Sequence, residues 1–517
     1  MADVVLVFPT TGFAIKGLSI DIPVSLLAVA STVVGDYSVK IIDQRMDQNW
    51  EQALLAELKC DPLCVGISSM TGPQLAYALE ASRMIKESGS NTKVVWGGVH
   101  PSLLSEQTLE SEYVDIVCVG EGEVTFRNLV NALAERRDLQ EVKGLAFKKN
   151  GEIIRTEPEL PVDLNELPEL PYDLVPIEEY VGSQGRFEDD NARSLLFLSS
   201  RGCPWRCSFC CNPRLSKRQW RAMRPELAYE RVSNLVDRYK LDAVTFHDEE
   251  FFVDKRRAER LAELISGRFQ WWTQARMDRL AAVDLPKLER CGMSAVQPGI
   301  ESGSARILKM INKGETVEDF IDANRKLART GIIPLYNFMM GFPTETRVDI
   351  MDSVDLAVRL MEDNPRAQVS GFYVFVPYPG TELYDLAINH GFEPPKSVVE
   401  WASFNRQHLK TPWIQDHIDL VRSLLVSSKF VDGTRLRNRL RTAYKGLPFP
   451  SFVGTYLGKQ YRRRWQRHDF DPRLDTTINN LILFLFSVSH SAPVDRWRRF
   501  VSRDTRQHNP NASGKPT

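Results

Sequence analysis

Short apolar runs alternating with longer amphipathic stretches set the pattern of the first 135 or so residues. "VVLVFP" (4–9), "SVKIID" (38–43), "LCVGISS" (63–69), "KVVWGG" (93–98) and "DIVCVG" (115–120) are rich in β-branched residues and read as buried strands. The stretches between them, such as "GPQLAYALEASRMIKES", place apolar residues at helical spacing. Strict alternation of this kind predicts a doubly wound parallel sheet with ligands at the carboxyl ends of its strands. A second series follows, with strands expected near 193–199, 242–246, 270–275, 294–299, 333–339 and 368–376. Six units are too few to close an eight-stranded barrel, so an open partial (βα)6 barrel is expected, active at its strands' carboxyl ends. Between the two series, "RTEPELPVDLNELPELPYDLVP" is too dense in proline and acid for a helix or a central strand. The expected organisation is an α/β chain: a Rossmann-like domain at 1–144, a linker at 145–192, the barrel at 193–400 and a mostly helical region at 401–517.

Composition excludes several classes. The chain has 517 residues, 43% hydrophobic and 26% charged, enough for more than one core without covalent staples. Eight cysteines at this length is ordinary usage. "MADVVLVFPTTG" has no basic leader, and the apolar run "LILFLF" (481–486) is too short to span a bilayer. A reducing, cytoplasmic location is therefore expected. Charge is uneven: residues 401–517 hold 21 Lys and Arg against 8 Asp, while the whole chain carries −1, so the first 400 residues are acidic. "YRRRWQRH" and "DRWRRF" interleave basic and aromatic residues around that apolar run. One reading is a helical cap docked on the acidic half. The other is a peripheral membrane contact, with Trp465 and Trp497 at headgroup level. Charge alone also admits nucleic acid, but no RNA-binding module is recognisable, so none is expected.

The strand ends carry the candidate chemistry. In the first series they are Thr10 and Thr11; Ser68, Ser69 and Thr71; Gly97, Gly98 and His100; Gly120, Glu121, Gly122 and Glu123. Glycines there let a ligand approach the backbone. No G-x-G-x-x-G follows the first strand, which argues against a nicotinamide dinucleotide. In the second series, "RGCPWRCSFCC" places four thiols between Cys203 and Cys211. Zinc takes four tetrahedral ligands, usually as two separated pairs, and no histidine lies nearby. Three thiols at C-x3-C-x2-C (Cys203, Cys207, Cys210) suit a four-iron cluster better, leaving one iron open to a ligand. Later ends bring Asp248, Glu249 and Glu250 ("HDEEFF"), Arg276 ("TQARMD"), and Glu301 with Ser302 ("PGIESGS"). A carboxylate accepts from an ammonium or a hydroxyl, and an arginine forks a carboxylate.

"RGCPWRCSFC" resembles the cluster loop of the radical S-adenosylmethionine (SAM) superfamily. The resemblance implies that Cys203, Cys207 and Cys210 hold a 4Fe-4S cluster whose open iron chelates SAM, with Phe209 near the adenine. Asp248, Glu249, Glu250, Arg276, Glu301 and Ser302 become candidate SAM contacts, although "HDEE" departs from the family's usual glycine-rich acidic motif. Cys211 falls outside the pattern. "WGGVHPS" and "VCVGEGEVTF" resemble the fourth and fifth strand ends of cobalamin-binding domains that precede such barrels. That makes the first-series strand ends candidate cobalamin contacts. Many such domains place a cobalt-ligating histidine in D-x-H-x-x-G after the first strand; here the stretch is "TTGFAIKG", so no histidine ligand is expected from it.

The resemblance implies reductive cleavage of SAM to a 5′-deoxyadenosyl radical, hydrogen abstraction from an unactivated carbon, and methyl transfer from cobalamin. It also implies a small-molecule substrate, with lipids and natural-product intermediates as the classes considered, and an external electron donor of flavodoxin or ferredoxin type. Ring-closing, ring-contracting and oxidative relatives are not separated from methyltransferases by sequence. A methylthiotransferase would need a second cysteine triad, which Cys60, Cys64 and Cys118 do not resemble. A non-catalytic iron–sulfur sensor is the alternative of another class.

Overall fold

The structure is a computed structural model and describes residues 2–11, 20–182, 186–187, 192–404, 411–428, 430–431 and 451–470. The first sheet is built on β1 (Val4–Phe8), β2 (Val39–Asp43), β3 (Cys64–Ser68), β4 (Lys93–Gly97) and β5 (Ile116–Cys118). They run parallel in the order β2-β1-β3-β4-β5. In this doubly wound order the connections change side between β1 and β3, which opens a crevice at the carboxyl ends. Helices cover both faces; Gln74–Glu87, for instance, buries Leu75, Leu79 and Ile85.

The expected linker does not begin at 145. β6 (Leu145–Lys149) and β7 (Glu152–Arg155) form an antiparallel hairpin that extends the first sheet beyond β5. Asn150 and Gly151 turn it, both with positive φ (53° and 84°), as a two-residue turn matched to strand twist requires. The connecting segment from 156 onward is itself packed: Tyr172, Val175, Ile177 and Tyr180 are buried, and the Tyr180 hydroxyl donates to Asp43 Oδ2 at 2.8 Å.

The barrel comprises β8 (Ser194–Phe197), β11 (Ala243–Phe246), β12 (Gln270–Ala275), β13 (Met293–Glu301), β14 (Ile333–Met340) and β15 (Gln368–Val374). All six are parallel and adjacent in chain order. Between β8 and β11 lies a two-residue antiparallel ribbon, β9 (Ser200–Arg201) with β10 (Arg221–Ala222). Val244, Phe246, Trp271, Val296 and Phe338 face the helices, while Ala243, Trp272, Ala295, Ile333 and Leu335 form a separate apolar cluster. This alternation follows from the period of two along a strand. Register shifts occur in β13 near Ile300 and in β15 near Ser370.

The last boundary shifts as well. Residues 398–403 form a helix that returns to the first domain, where Val398, Trp401 and Ala402 join the core containing Leu75 and Ala78. Farther on, the helix Ser451–Gln466 packs on the barrel side. Its Trp465 is 1% exposed, meets Phe372 edge-on at 5.4 Å and donates to Ser427 Oγ at 3.2 Å. Trp465 is therefore a core residue and not a headgroup anchor. Gln466 and His468 reach Glu362 and Asp355 on the helix Arg347–Asp363, as a docked basic cap would. Trp497 and "LILFLF" lie outside the described residues. Among the described residues no helix is long and apolar enough to cross a membrane.

Candidate functional site

The cysteine loop is closed at its base by the β9–β10 ribbon. Gly202 has φ 84°, and a Cβ added there would lie 2.0 Å from the Gln219 carbonyl oxygen. Glycine is required at that turn. The loop is pinned on both sides. The Ser208 amide donates to the Ile311 carbonyl (2.8 Å), the Leu383 amide to that of Ser208 (3.0 Å), and Asn312 Nδ2 to that of Arg206 (3.1 Å). Within it the Cys210 amide donates to the Cys207 carbonyl, and the Asn212 amide reaches Cys210 Sγ at 3.4 Å. All four thiols are free and partly buried. Burial pushes Cys203 up to about 11 and Cys210 up to about 12. Burial also raises Cys207, opposed by the positive charges of Lys313 and Arg276. Among the described residues no three Cys, His, Asp or Glu side chains gather round a single ion. Three thiols on one pinned loop fit a cluster, whose irons each take one.

Near Cys207 the predicted Arg276 and Glu301 join a buried group of charges with Lys313 and Glu315, which the sequence did not single out. Lys313 Nζ stands 3.3 Å from Glu301 Oε1 and 3.4 Å from Glu315 Oε2. Arg276 donates to Asp278 Oδ1 (3.1 Å) and to the Lys313 carbonyl (2.8 Å), and its guanidinium lies over Trp205 at 4.7 Å. Its Nη2 is buried without a hydrogen bond but lies 3.4 Å from Glu315 Oε2. A carboxylate is the natural partner of such a buried donor, and Glu315 already faces it.

The other predicted SAM contacts separate into two groups. Phe209 lies 6.4 Å from Phe342, half-buried. Glu249 accepts from the Gly202 amide at 3.2 Å, and burial pushes Glu250, beside Cys203, up to about 7. Glu301, at φ 65° in the β13 irregularity, faces Lys313. These stand around the loop. Asp248 and Ser302 are spent inside the protein. Asp248 accepts from the Ser199 amide (2.7 Å) and from the Ser199 and Ser200 hydroxyls (2.6 Å each). The Ser302 hydroxyl meets Ser353 Oγ at 3.2 Å and accepts from the Ser304 amide. Both shape backbone that carries the site.

A larger cleft of about 1170 Å³, its open mouth included, lies at the carboxyl ends of the first sheet. Ser68, Gly97, Gly98, Gly120 and Gly122 line it, together with Glu121 and Glu123. A Cβ at Gly98 (φ 101°) would lie 2.6 Å from the Ser69 carbonyl oxygen, and one at Gly122 would lie 2.8 Å from Val29. A bare-backbone cradle of this size suits a large flat ligand such as a corrin. The barrel supplies the opposite wall through Leu198, Arg201 and Glu249.

Five predicted contacts do not line it. Thr10 and Thr11 sit half-buried at the end of β1, the Thr10 amide donating to Gln44 Oε1. Ser69 is buried. Thr71 Oγ1 pairs with His100 Nδ1 at 3.0 Å, and His100 is fully buried, edge-on to Trp401 at 6.1 Å. Burial pushes His100 down to about 3, so it stays neutral. Its ring packs against Trp401, which belongs to the first-domain core. His100→Ala is expected to lower stability by about 1–3 kcal/mol and to leave the electron paramagnetic resonance spectrum of the cobalt(II) protein unchanged. Loss of nitrogen splitting from that spectrum in the variant would instead make His100 a ligand.

The inner wall of the barrel adds a polar chain that sequence reasoning missed. Gln297 Nε2 donates to Asn337 Oδ1 (2.8 Å) and to Ser370 Oγ (3.3 Å), and Ser370 meets the Tyr373 hydroxyl at 3.1 Å. Thr245 Oγ1 and Trp272 Nε1 are buried nearby in the sheet without partners. The available signal was a polar residue inside each apolar strand, as in "AVQPGIE" and "PLYNFMM".

Residues 197–357 match the radical SAM superfamily and residues 15–130 the B12 binding domain. An uncharacterized methyltransferase of Pyrococcus horikoshii is 33% identical over 394 residues, 74% of this chain and 83% of that protein. The chain belongs to the radical SAM superfamily, in its B12-binding branch. This radical SAM protein is also 24% identical to the anaerobic magnesium-protoporphyrin IX monomethyl ester cyclase of Cereibacter sphaeroides, over 86% of the chain and 69% of the cyclase. Among solved structures, the methyltransferase TsrM from Kitasatospora setae, with cobalamin and a 4Fe-4S cluster bound, superposes with TM-score 0.65. That match has 16% identity and covers 90% of this chain and 99% of TsrM. OxsB with aqua-cobalamin gives TM-score 0.64 at 20% identity, covering 98% and 75%. Both share the fold. The cofactors of this radical SAM enzyme are a 4Fe-4S cluster, SAM and cobalamin.

Proposed function

We infer that the protein is a cobalamin-dependent radical SAM methyltransferase acting on an unactivated carbon of a small-molecule substrate. One observation carries the reading: the glycine-lined cleft and the cysteine loop share Arg201 and Glu249 as a wall, so the two cofactor sites adjoin. Bound there, the cofactors supply hydrogen abstraction and a methyl group. The chain's own residues do the holding. Cys203, Cys207 and Cys210 offer thiolates, and Phe209 offers an aromatic face. We assign Glu249 and Glu250 as acceptors for the SAM ammonium, Arg276 as donor to its carboxylate and Glu301 as acceptor for a ribose hydroxyl. Ser68, Gly97, Gly98, Gly120 and Gly122 line the corrin side. The chain Gln297–Asn337–Ser370–Tyr373 would orient the substrate by neutral hydrogen bonds, on the same sheet as an apolar layer (Trp272, Ala295, Ile333). An external low-potential donor completes the scheme.

Similarity to the cyclases supports a second reading, ring closure without methyl transfer. Product analysis separates the two. Anaerobic protein loaded with iron, sulfide and hydroxocobalamin is given SAM, a reductant and extracts of candidate substrates. A methyltransferase forms both 5′-deoxyadenosine and S-adenosylhomocysteine, and a methylated product. 5′-Deoxyadenosine alone, with substrate consumed, would favour the cyclase reading. Neither product, from protein with a full cluster, would leave a non-catalytic iron–sulfur protein.

A further inference from the structure

The acidic turn "GEGE" after β5 grips the cysteine loop across the domain boundary. Glu123, its side chain 4% exposed, accepts from Arg201 Nη2 at 2.6 Å. Glu121 pairs with Arg221 Nη2 and lies 3.6 Å from Arg201 Nη1. Arg201 and Arg221 are directly opposed residues of the β9–β10 ribbon. Arg201 immediately precedes Gly202 and Cys203, and Arg221 ends the loop that holds all three cluster thiols. One pair of carboxylates therefore holds both ends of the cysteine loop. A third tie, from Glu249 to the Gly202 amide, lies on the same side. Glu121, Gly122, Glu123, Arg201 and Glu249 also line the glycine-rich cleft. A ligand filling the cleft therefore rests on the side chains that set the loop.

Partly buried ion pairs add little net stability because desolvation offsets their attraction; what they impose is geometry. Burial opposes the charge on Arg201, but Glu123, and then Glu121 and Glu249, keep the guanidinium ionised.

We propose that the Glu123–Arg201 and Glu121–Arg221 pairs couple the two cofactor sites, so that cobalamin in the cleft and the cluster on its loop each strengthen retention of the other. The proposal rests on the cleft being the cobalamin site. Linkage requires the effect to be reciprocal, and couplings of this kind are about 5- to 150-fold in affinity.

The test uses the full chain, anaerobic, in cluster-loaded and iron-free forms. Hydroxocobalamin affinity is read from its absorbance change. Wild type is expected to bind hydroxocobalamin about 10-fold tighter with the cluster than without it, within that range. Glu123→Gln and Arg201→Lys should each bring the ratio close to one, and the double variant should be no worse than the worse single, as paired residues behave. Reciprocally, iron loss to a chelator should be slowed by hydroxocobalamin in wild type and not in the variants. Arg221→Lys, which leaves Glu123–Arg201 intact, is a milder variant expected to lower the ratio in part; circular dichroism identifies any variant that fails to fold. A ratio of one in wild type overturns the proposal, as does a wild-type ratio persisting in folded Glu123→Gln and Arg201→Lys. Failure of hydroxocobalamin to bind either wild-type form would overturn the cobalamin reading as well, and would show as no spectral change at all.

Discussion

Replacing Cys203, Cys207 or Cys210 by alanine is expected to remove the cluster and with it all SAM cleavage, while Cys211→Ala keeps both. The four thiols are alike in exposure, so the distinction lies in where each is held. Cys207 sits over Lys313 and Arg276, whose positive charges favour its thiolate, and Cys203 feels Arg276 and Glu250. Cys210 is within electrostatic reach of the other three loop thiols, Cys211 first and then Cys207 and Cys203. Cys211 instead opens the short helix Asn212–Leu215, where its carbonyl accepts from Arg214 and Leu215. Its charged neighbour is Glu249, which disfavours a thiolate. A four-iron cluster held by three protein thiolates loses an iron ligand with each of these changes. Iron content should fall from about four per chain to background, with loss of the brown absorbance and of 5′-deoxyadenosine formation. A Cys210→Ala protein that keeps iron and cleaves SAM would move the ligand role to Cys211.

How much of this was legible in the sequence depends on whether the signal was local. The barrel strands were visible because each is a run of β-branched and aromatic residues ended by glycine or acid, and β12 lies at 270–275 as expected. The β6–β7 hairpin was hidden by its polar face. "FKKNGEIIR" looks like the start of the acidic linker, although its Asn-Gly dipeptide is itself a hairpin signal. Partnerships between distant segments were not legible. Glu121 and Glu123 read as cleft contacts, and they do line the cleft. Nothing local shows that arginines about 80 to 100 positions away complete them. Asp248 looked like a ligand contact because an acid at a strand end has two lone-pair-rich oxygens; Ser199 and Ser200, on a different strand end, occupy them. Trp465 looked interfacial from its arginine neighbours, yet a helix presents only one face, and that face meets Phe372. Lys313 and Glu315 lie on a loop between helices, where charge is usually solvated; only the fold shows them buried.

That burial sets up the second large effect. Lys313→Met is expected to destabilise the barrel by about 3–5 kcal/mol, the range for removing one partner of a buried ion pair. The Lys313 side chain is 5% exposed and stands between Glu301 (11%) and Glu315 (0%). Glu315 Oε2 makes no hydrogen bond and depends on two cations at 3.4 Å each, the Lys313 ammonium and Arg276 Nη2. Burial already raises Glu301, and Lys313 is the chief influence holding it down. Without the lysine, the Glu301 carboxyl should rise further above its unfolded value. A carboxyl raised in the folded state favours folding only while protonated, so the deficit should be largest at alkaline pH and should shrink as pH falls toward the raised values. Thermal unfolding of wild type and Lys313→Met, each with and without iron, at pH 8 and pH 6, measures this directly. A barrel transition lowered by roughly 10 °C at pH 8, and by less at pH 6, is the expected result. A shift of under about 2 °C at pH 8 would mean that water reaches the group, and that Arg276 alone compensates both carboxylates.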